Sequence, residues 1–525
     1  MPQVEAFVAL LAAVVLLALV AERLKVAQPV ALVVGGLVVG VLPFAPDVEL
    51  DPELIFLVFL PPILYPSAFQ FAGEDLRANL RAIGWLAIGL VLATIVVIAF
   101  VLHWVSGIPL AACFVLGSIV APTDPVAATA VIRTGGAPER LATILEGESL
   151  INDGSALTAL RIAIAAVGAG SFALGDALVE FVVVAAGGAA VGAALAAAAL
   201  WVRRKLDDVE LESTIAVLLA YGSFLLAEAI DVSGILASVL AGFVVGRHQA
   251  EIASPETRVG GLSFWGVARF LSESMLFILV GIAFAQVLDD PVGRGVPEIV
   301  ALTVLVAVVT FGVRLVWMFT VPWLAGLWSR EGPARLDTEF GWRERLVIGL
   351  GGMRGATSVA AALTIPATAG GAPFPERDVL IVMALGTIVA LLILPALGLP
   401  IVLRRLGLAG SEDQLGRARK VRAQLAEAAL NRAGELAARD EVPEAVLDRV
   451  RTRYEWRLRR AGLRDGDGEE GESTEALIEG YRRLRHDLLA VERARLAELQ
   501  RAGEVSGDTL RAIERDLDLE ATRIR

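Results

Sequence analysis

Apolar stretches of membrane length follow one another from the first residues to about Arg405, and the polar positions fall mostly in the short gaps between them. A helix needs roughly 17 or more predominantly apolar residues to cross a bilayer. By that criterion about thirteen segments are predicted as spans, near 4–21, 28–44, 53–70, 83–105, 109–131, 140–168, 174–202, 210–230, 232–247, 264–288, 296–327, 343–368 and 378–403. The third and ninth are short. The first has no basic residue before it and no small-residue cleavage site after it, and reads as a retained span rather than a signal peptide.

The gaps alternate in charge. The first, third and fifth carry Arg23 and Lys25, Arg77 and Arg81, Arg133 and Arg140. The seventh, ninth and eleventh carry Arg203, Arg204 and Lys205, Arg247 and Arg258, then Arg330, Arg335 and Arg343. The other gaps hold acids or little charge, with Arg294 and Arg377 as exceptions. Basic loops stay cytoplasmic. An odd number of spans then leaves the N-terminus outside and the C-terminus in the cytoplasm of a cell that carries the protein in its plasma membrane.

After Arg404-Arg405 the pattern changes. Residues 408–525 are rich in Arg, Glu, Ala and Leu, which predicts two or three long amphipathic helices in a cytoplasmic tail behind a membrane domain of residues 1–407. The stretch Asp465-Gly-Asp-Gly-Glu-Glu-Gly reads as a solvated linker, with Ser473-Thr474 capping the next helix. It is no calcium loop, because its sixth position is Glu470 and its twelfth Ala476. The tail reads equally as a regulatory or dimer-supporting module and as a passive bundle.

Composition narrows the class. The chain has 525 residues, of which 56% are hydrophobic, and a mean hydropathy of +0.68, above what a soluble domain carries. Aromatics are only 6% while glycine numbers 51, a balance suited to close helix packing in lipid. A net charge of −12 argues against nucleic acid as a partner. The lone Cys113 and three histidines leave no disulfide framework and no cysteine- or histidine-rich metal centre. No Gly-x-x-x-x-Gly-Lys loop or His-Glu-x-x-His occurs, so neither an ATP-driven pump nor a zinc protease is expected. Nor is there a carbonyl filter of the Thr-Val-Gly-Tyr-Gly kind. No enzyme activity and no cofactor are expected.

Three motifs inside the apolar segments carry chemistry. The fifth segment is interrupted by Ala121-Pro-Thr-Asp-Pro125. Pro122 and Pro125 remove backbone donors and predict a helix that opens near mid-membrane, which lipid permits only where the backbone is buried in protein or lines a cavity. Asp124 caps the second half-helix, senses an ion, or does both. The sixth segment contains Glu146-Gly-Glu-Ser-Leu-Ile-Asn152-Asp153-Gly. Helical spacing puts Ser149 and Asp153 on one stripe and Glu148 and Asn152 on the next. A carboxylate taken out of water holds a counter-charge, either a proton or a small cation, and the two compete for it. Asp153, the Ser149 hydroxyl and the Thr123 carbonyl are candidate oxygen ligands for a monovalent cation; the alternative is a structural acid paired with a base. The twelfth segment offers that base in Leu350-Gly-Gly-Met-Arg354-Gly-Ala-Thr-Ser-Val, whose glycines predict a second helix break. A buried arginine needs an acid. Glu148 is the expected partner of Arg354, leaving Asp153 for the ion, with Arg161 as a competing base.

Thr123-Asp-Pro-Val126, Glu146-Gly-Glu-Ser-Leu-x-Asn152-Asp153 and Gly352-Met-Arg354-Gly355, in this order, resemble the monovalent cation:proton antiporters of the NhaP/NHE branch. The resemblance spans the whole membrane region. It implies an all-α polytopic fold of thirteen transmembrane helices in two inverted six-helix repeats with two broken crossing helices, in a homodimer whose core domain moves against a dimerisation domain. It implies Asp153 as the cation- and proton-binding carboxylate and Asn152 as its partner, where electrogenic relatives have a second aspartate. Thr123, Asp124 and Ser149 resemble the rest of the site, and Glu148 with Arg354 the structural ion pair. The implied activity is exchange of sodium or lithium for protons, electroneutral and one for one, with potassium as the alternative cation. One departure stands out: many relatives carry an acid four residues beyond Pro62, where this chain has Pro66.

Overall fold

The computed structural model describes residues 2–462 apart from 25–27, 43–51, 72, 170–173, 207, 253–254, 290–293, 329–340, 409, 411–413 and 439–442, with scattered positions beyond 482. The described residues are overwhelmingly helical and fall into two units, Met1–Glu412 and Asp413–Arg525. Helices lie at each apolar segment: α1 (Pro2–Leu24), α2 (Gln28–Val41), α3 (Pro52–Gln70), α4 (Gly73–Gly84) continued by a π-helical turn (Trp85–Leu90) into α5 (Val91–Ser106), α6 (Leu110–Val120), α7 (Val126–Thr134) and α8 (Glu139–Ala169). Then follow α9 (Leu174–Arg203), α10 (Val209–Ala229), α11 (Gly234–Ile252), α12 (Pro255–Asp289), α13 (Val296–Trp328), α14 (Trp342–Leu350), α15 (Ala356–Leu363) and α16 (Arg377–Arg405). Seven stretches among the described residues, from Leu76–Ser106 to Arg377–Arg405, are long and apolar enough to cross a membrane. The fifth and twelfth segments fall short because a break divides each into α6/α7 and α14/α15.

Both breaks have local causes. Pro125 has no N–H to offer the Ala121 carbonyl, and Pro122 none for Ser118, so α6 stops at Val120. Gly351 and Gly352 close α14, and Gly355 starts α15 from extended backbone. By contrast α3 runs unbroken through Pro61, Pro62 and Pro66. The Val58 carbonyl, deprived of its donor by Pro62, accepts from Tyr221 Oη at 3.5 Å.

Small residues set the closest approaches. α2 packs along α12 and α11 along α3. A Cβ on Gly36 would meet the Ile278 carbonyl oxygen, and one on Gly281 the Val33 carbonyl oxygen. On the other pair, Gly242 and Gly246 lie against the Tyr65 and Phe69 carbonyl oxygens. The two contacts use near-identical pentapeptides, Gly36-Leu-Val-Val-Gly40 and Gly242-Phe-Val-Val-Gly246, a spacing that lets helix backbones touch in lipid. The largest apolar core gathers α3, α5, α6, α8, α12, α15 and α16 around the two breaks.

In the second unit α17 (Gln414–Ala438) and α18 (Glu444–Gly462) pack against each other. The 465–471 stretch and Ser473-Thr474 lie outside the described residues, as do Arg330 and Arg335.

Candidate functional site: a carboxylate at the crossing of two broken helices

The two breaks meet. The Asp124 N–H donates to the Met353 carbonyl at 2.8 Å, joining one broken backbone to the other. Asp124 Oδ1 accepts from the Val126 N–H at 2.9 Å, satisfying the first free N–H of α7. Gly355 lies directly under the Asp124 carboxylate, where any Cβ would collide with it.

Arg354 serves the first break. Its Nε donates to the Val120 carbonyl at 2.8 Å, its Nη2 to the Ala121 carbonyl at 3.3 Å, and its Nη1 to Gly352. The Val120 and Ala121 carbonyls are the orphaned ones that end α6, and a helix C-terminus attracts a cation. The expected ion pair of Glu148 with Arg354 is therefore not formed. Glu148 pairs instead with Arg314 of α13, which donates from Nη2 to Oε2 at 2.8 Å and from Nη1 to Oε1. Both side chains are almost wholly buried, at 1% and 3% exposure. Arg314 also donates to the Ile348 and Gly349 carbonyls at the end of α14, and Gly352 lies against its guanidinium. Sequence reasoning passed over Arg314, although a lone arginine in an apolar span is itself a signal. The competing base Arg161 is bound elsewhere, to Asp231 at 2.9 Å and Glu228 at 3.2 Å.

α8 supplies the centre. Thr123 Oγ1 donates to Glu148 Oε1 at 3.0 Å. Asn152 Nδ2 donates to Thr123 Oγ1 at 2.8 Å and to the Thr123 carbonyl at 3.3 Å. Glu148, Asn152 and Thr123 thus form one network holding the first break against α8, while Asn152 Oδ1 is buried with no hydrogen-bond partner.

Asp153 stands apart from that network. It is 7% exposed, and its Oδ2 accepts from Thr357 Oγ1 of α15 at 3.0 Å. No base is hydrogen-bonded to it among the described residues. Asp124 and Arg269 of α12 are within electrostatic reach, and Arg269 is itself held by Glu273 at 2.6 Å. Ser149 lies half-buried one turn before Asp153. Sequence reasoning gave Thr357 no role; a threonine in an apolar helix is ordinary, and only the crossing of α15 over α8 singles it out. Chemically, the arrangement is a buried carboxylate beside a hydroxyl, with Arg269 engaged by Glu273.

A family description, the transmembrane sodium/hydrogen exchanger, matches residues 9–405. The chain is 33% identical over 509 residues to the uncharacterised Na+/H+ exchanger YjcE of Escherichia coli K12, covering 91% of this chain and 90% of that protein. It is 30% identical over 414 residues to the low-affinity Na+/H+ antiporter NhaS1 of Synechocystis, covering 78% and 75%. The solved structure of the sodium proton antiporter MjNhaP1 from Methanocaldococcus jannaschii shares the fold, with a TM-score of 0.61 at 21% identity over 78% of this chain and all of that one. With a family match across most of its length and relatives of this similarity, the chain belongs to the sodium/hydrogen exchanger family, the cation:proton antiporters of membranes.

Proposed function

We propose that this protein exchanges sodium or lithium for protons, one for one and without net charge movement, by alternating access with the two ions competing at Asp153. The observation that carries this reading is the isolation of Asp153: buried, at the crossing of both breaks, and bonded to no base. The neighbouring carboxylate, Glu148, is neutralised by Arg314. The adjacent side chain, Asn152, is neutral. A single exchangeable carboxylate carries either ion with the same charge, so the cycle moves none.

Asp153, Ser149 and Thr123 are the proposed cation ligands, with Asp124 contributing negative charge and Asn152 holding Thr123 in place. Glu148 is a structural partner of Arg314, and Arg354 the cap of the first break. The fold reading behind this is thirteen spans in two inverted repeats. It is supported by the two breaks at matching places, and by the reciprocal packing of α2 on α12 and α11 on α3 through matching pentapeptides. A plasma-membrane protein with its N-terminus outside, a cytoplasmic tail from 408, a homodimeric assembly and a role in pH homeostasis complete the proposal. The test is dye-reported proton movement in proteoliposomes challenged with sodium, lithium and potassium. Sodium and lithium responses in the natural protein, and none in D153N, support it. A response to potassium alone would replace the cation, and a response surviving in D153N would remove Asp153 from the mechanism.

A further inference from the structure

We infer that the Thr357 hydroxyl is a ligand of the transported cation, positioned beside Asp153 by the break in the twelfth segment; the inference rests on the reading of Asp153 as the ion-binding carboxylate. A threonine in a helix ordinarily turns its hydroxyl back to the carbonyl four residues earlier. Thr94 does so to Leu90, Thr158 to Gly154, Thr303 to Ile299 and Thr310 to Val306, at 2.6–2.8 Å. Thr357 does not. Four residues before it stands Met353, on the far side of the break, and the Met353 carbonyl accepts the Asp124 N–H. The hydroxyl is turned across the helix interface to Asp153 Oδ2, at 3.0 Å.

That placement matters because both Thr123 oxygens are committed. The Thr123 hydroxyl donates to Glu148 and accepts from Asn152, and the Thr123 carbonyl also receives Asn152 Nδ2. A hard cation asks for several oxygens at once. A hydroxyl carries both a donor and two acceptor lone pairs. Toward an empty Asp153 the Thr357 hydroxyl donates its hydrogen. When a cation sits on Oδ2, the same oxygen rotates its hydrogen away and turns a lone pair to the ion. The same oxygen thus serves Asp153 in one state and the ion in the other, and a carbon in its place would lose both contacts.

The experiment is sodium-driven proton movement in proteoliposomes, with KM and maximal rate measured for the natural protein, T357V, T357S and D153N. Sodium-dependent thermal stabilisation of the purified proteins provides a binding readout independent of turnover. The expected result is a sodium KM raised several-fold in T357V, a matching rise in the sodium concentration that half-stabilises it, and both restored in T357S. An unchanged KM in T357V, or an equal rise in T357S, overturns the inference, the latter because shape rather than the oxygen would then be the cause. If T357V does not fold, T357A takes its place with the same criteria. Failure of the underlying reading looks different: exchange persists in D153N, or the natural protein shows none.

Discussion

Replacing Arg314 by methionine removes both donors from Glu148 and leaves a carboxylate at 1% exposure with one remaining hydrogen bond, from Thr123 at 3.0 Å. Breaking a buried ion pair from one side costs about 3–5 kcal/mol, because the abandoned charge stays desolvated. Arg314 also bonds the Ile348 and Gly349 carbonyls, so the upper end of that range applies. At about 2 °C per kcal/mol for a large domain, the melting midpoint should fall by roughly 8–10 °C. The sharper assay is a pair of double-mutant cycles by thermal melting in one detergent at one scan rate: Glu148→Gln with Arg314→Met, and Glu148→Gln with Arg354→Met. Directly paired residues couple by about 0.5–3 kcal/mol, so the first cycle should show a large coupling and the second a small one. Equal couplings, or a larger one for Arg354, would refute the assignment of Arg314 as the partner and restore the pairing read from sequence.

Gly355→Ala drives a Cβ into the Asp124 carboxylate, and exchange in proteoliposomes should be lost while the protein still elutes as a folded species. Asn152→Ala frees Thr123 from both of its Asn152 bonds; the midpoint should drop by an amount equivalent to about 1–3 kcal/mol, read by thermal melting. Gly36→Leu and Gly242→Leu each push a side chain into a facing carbonyl and should cut the yield of folded protein in size-exclusion profiles, with Ala tolerated better than Leu. Competition at one carboxylate predicts that a tenfold rise in sodium moves the acid limb of the pH–activity profile down by about one pH unit, measured by dye fluorescence; an acid limb indifferent to sodium would mean that the two ions do not share Asp153.

The helices and the two breaks were legible because their causes are local: apolar runs of membrane length, prolines at 122 and 125, glycines at 351, 352 and 355. The cluster of Thr123, Glu148, Asn152 and Asp153 was legible from helical spacing and from the cost of acids at bilayer depth. The pairing of Glu148 was not. Spacing along a chain says which residues share a face, but not which of two buried arginines on other helices lies opposite. The missing consideration was the carbonyls that a broken helix leaves bare: they were the better destination for Arg354, and Arg314 was then free for Glu148. Thr357 was hidden for a related reason. Its hydroxyl is diverted to Asp153 only because the break puts Met353 out of reach and occupies its carbonyl. The matching pentapeptides at 36–40 and 242–246 stood in the sequence throughout, yet their meaning rests on each facing a helix carbonyl across the interface.

The measurement closest to the central claim is sodium-driven proton movement in proteoliposomes, recorded for the natural protein and D153N with the membrane potential clamped and unclamped. A sodium response in the natural protein that is unaffected by the potential, and absent in D153N, is what one exchangeable carboxylate predicts. A rate that follows the potential, or proton movement that survives in D153N, would contradict it.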